Sequence, residues 1–87
     1  MNFSEALCLI KDGEKVTRSG WNGKGLFVFL VHGSEFEVNR APLNAVFKMG
    51  TKVKYCPHID IKCADGHVSV WFPNMGDVLA EDWFSVE

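Results

Sequence analysis

The chain opens with apolar residues at helical spacing. Phe3, Ala6, Leu7 and Ile10 fall on one face, which predicts a short amphipathic helix over residues 3–11. Asn2 or Ser4 can cap its start, Glu5 adds negative charge to the first turn, and Gly13 ends it. The period then changes to two. Residues 14–18 alternate and read as a strand. Residues 19–25 hold Gly20, Gly23 and Gly25, too many glycines for a strand or helix interior, so they read as a loop. The β-branched and aromatic run 26–31 reads as a strand buried on both faces or lying in an interface.

Residues 32–34 read as a turn and 35–38 as a short alternating strand. Pro42, followed by Leu43, Ala45, Val46 and Phe47, predicts a helical turn with Pro near its start, stopped by Gly50. Residues 52–56 alternate again, and Pro57 kinks the chain or marks an edge. In 58–63, Ile59, Ile61 and Cys63 share one side while His58, Asp60 and Lys62 share the other. Asp65-Gly66, between two alternating runs, is the strongest hairpin signal, with residues 67–72 as the return strand. Residues 73–79 form a loop with room for a short helix, and 83–86 read as a final strand. The expected fold is α+β: one domain over residues 1–87, with an N-terminal helix packed on a largely antiparallel sheet of five or six short strands.

Composition changes this picture in one respect. At 87 residues, a chain buries only about 60–65% of the surface its unfolded form exposes. Yet 13% of its residues are aromatic, more rings than so small a core hides. Some of them are expected in a pocket or a subunit interface. The net charge of −2, with signs interspersed, argues against a groove for DNA or RNA polymers, which needs a basic face. The six-residue apolar run 26–31 is too short to cross a bilayer. The N-terminus carries no secretory leader pattern. Cys8, Cys56 and Cys63, together with His32, His58 and His67, give no zinc spacing. The three cysteines read as buried free thiols in a reducing, cytoplasmic compartment, and no metal and no cofactor are expected.

The most informative segment is 18–25. Trp21 between glycines, with Asn22 and Lys24 beside it, offers a flat ring, donors and an approachable backbone, which can stack a base and turn N–H groups toward phosphates. Composition equally suits a surface loop whose Trp folds back onto the core. Asn39-Arg40 supplies an amide and a planar fork, or simply a cap and a solvated side chain. His58 and Asp60 on one strand face suggest a general-base pair, but no Ser or Cys is evidently set as their nucleophile. Ligand or subunit contact is the preferred reading of that face. Trp71 and Trp83 read as core residues before ligand platforms. Asp77, Glu81 and Asp82 read as a solvated acidic patch, one member of which could accept from a ribose hydroxyl.

Several segments, taken together and in order, resemble a known family. These are the opening Met-Asn-Phe-Ser-Glu-Ala-Leu, residues 16–25 (VTRSGWNGKG), residues 38–43 (VNRAPL), residues 57–62 (PHIDIK), Ala64-Asp65-Gly66, and residues 79–83 (LAEDW). The series is similar to the second type of Thoeris anti-defence protein, a phage and prophage family, over nearly the whole chain. The resemblance implies a non-enzymatic sponge in the cytoplasm of the infected host. Such a sponge binds cyclic ADP-ribose isomers made by TIR-domain proteins and holds them intact. It also implies homotetramers with pockets between subunits. Carried onto this chain, the ligand-facing candidates are Trp21, Asn22, Phe27 and Asn39, followed by His58, Asp60, Trp71 and Asp77. One departure is Cys56, where the family pattern often has Arg before the Pro-His pair. Three alternatives stay open: a sponge for cyclic oligonucleotide signals of the CBASS type, a small nucleotide hydrolase using His58 and Asp60, and a structural or protein-interaction module that binds no nucleotide.

Overall fold

The computed structural model describes all 87 residues, Met1–Glu87. The chain runs through helix α1 (Phe3–Lys11), strands β1 (Lys15–Arg18), β2 (Phe27–Val31) and β3 (Ser34–Glu37), and a 3-10 turn at Leu43–Ala45. Strands β4 (Lys52–Tyr55), β5 (His58–Lys62) and β6 (Val68–Val70), helix α2 (Met75–Leu79) and strand β7 (Trp83–Val86) follow. The architecture is the expected α+β fold. One sheet has five antiparallel strands in the order β6-β5-β2-β1-β7; β3 and β4 pair separately.

Helix α1 starts where its capping residues dictate. Asn2 is the N-cap, with its side chain accepting from the Glu5 N–H at 2.9 Å and the Glu5 carboxylate accepting from the Asn2 N–H at 3.1 Å. This reciprocal pair satisfies two of the helix's orphan donors. The helix buries Ala6 and Ile10 against Val16, Val28, Trp71 and Trp83. Because paired residues of antiparallel strands share a face, Val16, Val28, Ile61 and Ser69 point to the helix side. Lys15, Phe27, Phe29, Val31, His58, Asp60, Lys62 and Phe84 point to the other.

No helix covers that second face. Phe27 and Phe29 lie ring to ring at 5.8 Å, and Val68, Val70 and Phe84 are each about half exposed. The Lys15 and Lys62 ammonium groups sit 5.2 and 5.4 Å from the Phe27 centroid, a cation–π arrangement. The run containing β2 is therefore buried on one face only, with Val28 fully buried and its neighbours half-buried. Only 8 of 87 residues are buried, so a single chain has a thin core for its aromatic content.

Gly33 and Pro57 mark where the chain leaves and rejoins the main sheet. A side chain on Gly33 would collide with the Tyr55 carbonyl and the Pro57 ring. Between them the β3–β4 arm extends away, drawing the molecule out to 47 × 26 × 25 Å. The helical turn expected after Pro42 is shorter than its apolar spacing suggested and remains 3-10, because its side chains find little to pack on: Val46, Phe47 and Met49 stay exposed.

The Asp65-Gly66 hairpin joins β5 to β6. Gly66 takes a φ of +98°, its N–H donates to the Cys63 carbonyl at 2.9 Å, and Asp65 Oδ1 accepts from the His67 N–H at 3.1 Å. The cysteines are free but not buried. Cys8 and Cys56 are exposed and Cys63 is half-buried. Cys8 stands about 200° around the helix from Ala6 and Ile10, Cys56 sits at the foot of the arm, and Cys63 enters the hairpin. Cys63 continues the helix-side register of Ile61 but lies past the end of β5, so it is only half-buried. No helix is long and apolar enough to cross a membrane.

Candidate functional site

The site grows from the end of β1. Arg18 is the last residue of that strand, paired with Trp83 of β7, and the glycine loop begins after it. Across from it, α2 starts with a second reciprocal cap. Asn74 Oδ1 accepts from the Asp77 N–H at 2.8 Å, and Asp77 Oδ2 accepts from the Asn74 N–H at 3.2 Å. This cap aims the Asp77 carboxylate inward, where it is 5% exposed. Arg18 Nη1 donates to Asp77 Oδ1 at 2.8 Å, and Arg18 Nε donates to Asp82 Oδ1 at 2.8 Å. The Trp21 indole Nε1–H donates to the same Asp77 Oδ1 at 3.0 Å.

Trp21 therefore does two things at once. Its ring stands edge-on to Trp83 at 5.2 Å and to Trp71 at 6.3 Å, so it leans on the core. It also remains half-buried and lines a cleft of about 350 Å³ with Arg18, Asn22, Leu26, Ile61, Trp71, Phe72, Asn74 and Asp77. That volume lies in the range of small-ligand sites, about 300–1,000 Å³.

The acidic residues depart from the solvated patch expected of them. Only Glu81 is exposed. Asp77 is buried and Asp82 half-buried, because one guanidinium draws both carboxylates inward. Their ionisation follows from these contacts. The Arg18 bond is the main cause holding Asp82 below the ordinary carboxylate range. For Asp77, burial pushes the group up, but bonds from Trp21, Arg18 and Asn74 outweigh it and the net shift is downward. Both carboxylates reciprocally raise Arg18, Asp82 first.

A group with a depressed folded value stabilises the fold fully above its unfolded value, about 3.9 for Asp. That contribution is lost as pH falls through the folded value. Melting temperature and tryptophan fluorescence are expected to stay flat from neutral pH to about 4.5 and to fall below about 4. A midpoint well above about pH 5 in an acid titration would show that these carboxylates do not set the transition.

The candidates named from sequence divide among three places. Trp21, Asn22, Trp71 and Asp77 meet in the cleft. Phe27, His58 and Asp60 lie on the uncovered sheet face, where His58 Nε2 is 3.1 Å from Asp60 Oδ1. Asn39 lines a hollow of about 640 Å³ on the arm, with Arg40, Phe36 and Tyr55 among its walls. A single chain does not bring the three together. Arg18, Asn74 and Asp82 were missed as site residues. Asn74 was findable, since Asn-x-x-Asp before an apolar pair is a capping signal. Arg18 and Asp82 are 64 residues apart, and nothing local in the sequence pairs them.

Residues 1–86 match the Thoeris anti-defense 2-like (Tad2-like) domain family. The chain belongs to that family. Thoeris anti-defense 2 of Bacillus phage SP01 is 40% identical over 86 residues, covering 95% of this chain and 91% of that protein. Membership in the Tad2-like family supports a phage role against Thoeris defence. The family match runs from Met1 through β7, so it takes in the cleft, the uncovered sheet face and the arm together.

Proposed function

We propose that this protein is a phage sponge. It binds cyclic ADP-ribose-type signals made by TIR-domain proteins, glycocyclic ADP-ribose foremost, and sequesters them uncleaved in the cytoplasm of the infected host, so that Thoeris immunity stays silent. The observation that carries the reading is the half-open Trp21 indole, held at the mouth of a ligand-sized cleft in a Tad2-like chain.

An adenine ring needs an aromatic face, and Trp21 offers one with Trp71 behind it. Asn22 stands beside it for polar groups of the ligand. Asp77 serves this site through Trp21 and Arg18, since its oxygens already accept three bonds. The Arg18, Asp77 and Asp82 group sums to a charge of −1, so pyrophosphate belongs away from it, toward the glycine-loop N–H groups and cations of other elements.

Phe27, Asn39, His58 and Asp60 enter the reading through assembly. The uncovered sheet face and the thin core favour a homotetramer in which pockets form between subunits. Light scattering should return the mass of four chains, and a monomer would remove those four residues from the site. Sequestration at low-nanomolar affinity requires about −12 kcal/mol, within reach of stacked rings and several charge-assisted bonds. Cyclic oligonucleotides of the CBASS type are the alternative ligand class, and a calorimetric panel separates the two.

The decisive experiment mixes protein with glycocyclic ADP-ribose, denatures the protein by heat and analyses the supernatant. Unchanged signal is expected. The His58–Asp60 contact at 3.1 Å gives the hydrolase reading its one geometric support, and linear ADP-ribose in the supernatant would establish that reading instead. Trp21→Ala is expected to weaken binding by about 1–3 kcal/mol, the worth of one stacked base. Calorimetry giving equal affinity for the variant would exclude the indole as a platform.

A further inference from the structure

Asp82 lies outside the walls of the Trp21 cleft, yet it holds every residue that leads into Trp21. Its Oδ2 accepts from the Gly20 N–H at 2.8 Å and from the Ser19 hydroxyl at 3.3 Å. Its Oδ1 accepts from Arg18 Nε at 2.8 Å, and its backbone carbonyl accepts from the Ser19 N–H at 3.3 Å. One residue thus clasps three consecutive positions of a glycine-rich segment. Gly20 is built for this approach: a Cβ there would lie 2.7 Å from Asp82 Oδ2.

The clasp is itself anchored. Asp82 precedes Trp83, which is buried, and the N-terminal ammonium of Met1 donates to the Trp83 carbonyl at 2.7 Å. The Trp83 N–H donates back to the Met1 carbonyl at 3.1 Å. From the other side, Arg18 passes the restraint on. Its Nη1 shares Asp77 Oδ1 with the Trp21 indole. The indole is therefore held at its backbone through Gly20 and at its ring nitrogen through Arg18 and Asp77.

We infer that Asp82 is the positioning residue of the cleft, setting the angle of the Trp21 ring through Gly20 and Arg18 without touching what binds there. Released from it, a loop with three glycines in six positions samples many conformations, and ordering it falls to the ligand. The inference rests on the proposed reading of the cleft as the ligand site.

The test uses the full chain, with Asp82→Ala, Asp82→Asn, Gly20→Ala and the Gly20→Ala/Asp82→Ala double variant. Two readouts are taken: near-UV circular dichroism of the coupled tryptophans without ligand, and calorimetric affinity for glycocyclic ADP-ribose. Asp82→Ala is expected to weaken the tryptophan bands and raise Kd by about tenfold or more, with Asp82→Asn between it and wild type. Gly20→Ala evicts the same carboxylate, so the double variant binds no more weakly than the worse single variant. Wild-type bands and wild-type Kd in Asp82→Ala would overturn the inference, as would losses that simply add in the double variant. Wild-type protein that binds no glycocyclic ADP-ribose would defeat the ligand reading alone, because the dichroism comparison still decides whether Asp82 holds the ring.

Discussion

Trp83→Ala is expected to lower unfolding free energy by about 3–5 kcal/mol, the usual loss for a fully buried Trp. The side chain is 1% exposed. Three rings converge on it, Trp21 at 5.2 Å, Phe3 at 5.5 Å and Trp71 at 5.9 Å. Its Nε1–H donates to the Asp77 carbonyl at 3.0 Å inside the core. Alanine opens a cavity that these rings cannot close without leaving their present packing, edge-to-face for Trp21 and Trp71 and tilted for Phe3. In a domain this small, melting should drop on the order of 20 °C. Circular dichroism at one fixed protein concentration measures it, since assembly would make the midpoint concentration-dependent. Trp83→Phe separates the two contributions: it retains a ring but removes the indole donor and leaves the Asp77 carbonyl only the longer bond from the Ala80 N–H at 3.4 Å, at a cost of about 1 kcal/mol beyond the lost volume. A drop of only a few degrees in Trp83→Ala would mean that the aromatic cluster is not the centre of this core.

Asp77→Ala should destabilise by about 3 kcal/mol, the lower end for removing one partner of a buried ion pair. The lower end applies because Arg18 keeps 20% of its side-chain exposure and retains Asp82 as a partner. The loss has three parts. Arg18 forfeits one carboxylate, the Trp21 indole N–H loses its acceptor, and α2 loses half of its reciprocal cap. Asp77→Asn keeps an oxygen for the indole or for Arg18 but not the charge, so it should fall between alanine and wild type. Urea unfolding followed by tryptophan fluorescence measures the order of the three proteins. Equal midpoints for Asp77→Ala and wild type would show that the network orients side chains without stabilising the fold.

Both substitutions act on a part of the molecule that sequence reading approached from the wrong side. Three acidic residues near one another, Asp77, Glu81 and Asp82, read as a solvated patch because their nearest cation in the chain was not visible. Arg18 lies 59 and 64 residues away from its two partners, and only the β1–β7 pairing brings them together. The cysteines failed for a related reason. Cys is a frequently buried residue type, but burial depends on where the element places it: Cys8 faces outward on α1, Cys56 sits at the foot of the arm, and Cys63 lies past the end of β5. For Trp21 the two readings offered by composition were not exclusive. The indole packs on Trp71 and Trp83 and, half-buried, still lines the cleft.

What the amino-acid pattern determined by itself is the local framework. Periods of 3.6 and 2 located α1 and five of the strands, because backbone geometry ties side-chain direction to those spacings, and the β-branched and aromatic run 26–31 located β2. Asn2, Gly13, Pro57 and Gly66 punctuated them through capping, φ preference and a missing donor. The order of motifs along the chain carried the family. Tertiary structure alone decided which strands are neighbours, that β3 and β4 leave the main sheet, and that one face of that sheet stays uncovered. It also decided that one guanidinium gathers two distant carboxylates around an indole. Those outcomes depend on contacts between residues far apart in sequence, and contact across such distances leaves no periodic trace in the chain that makes it.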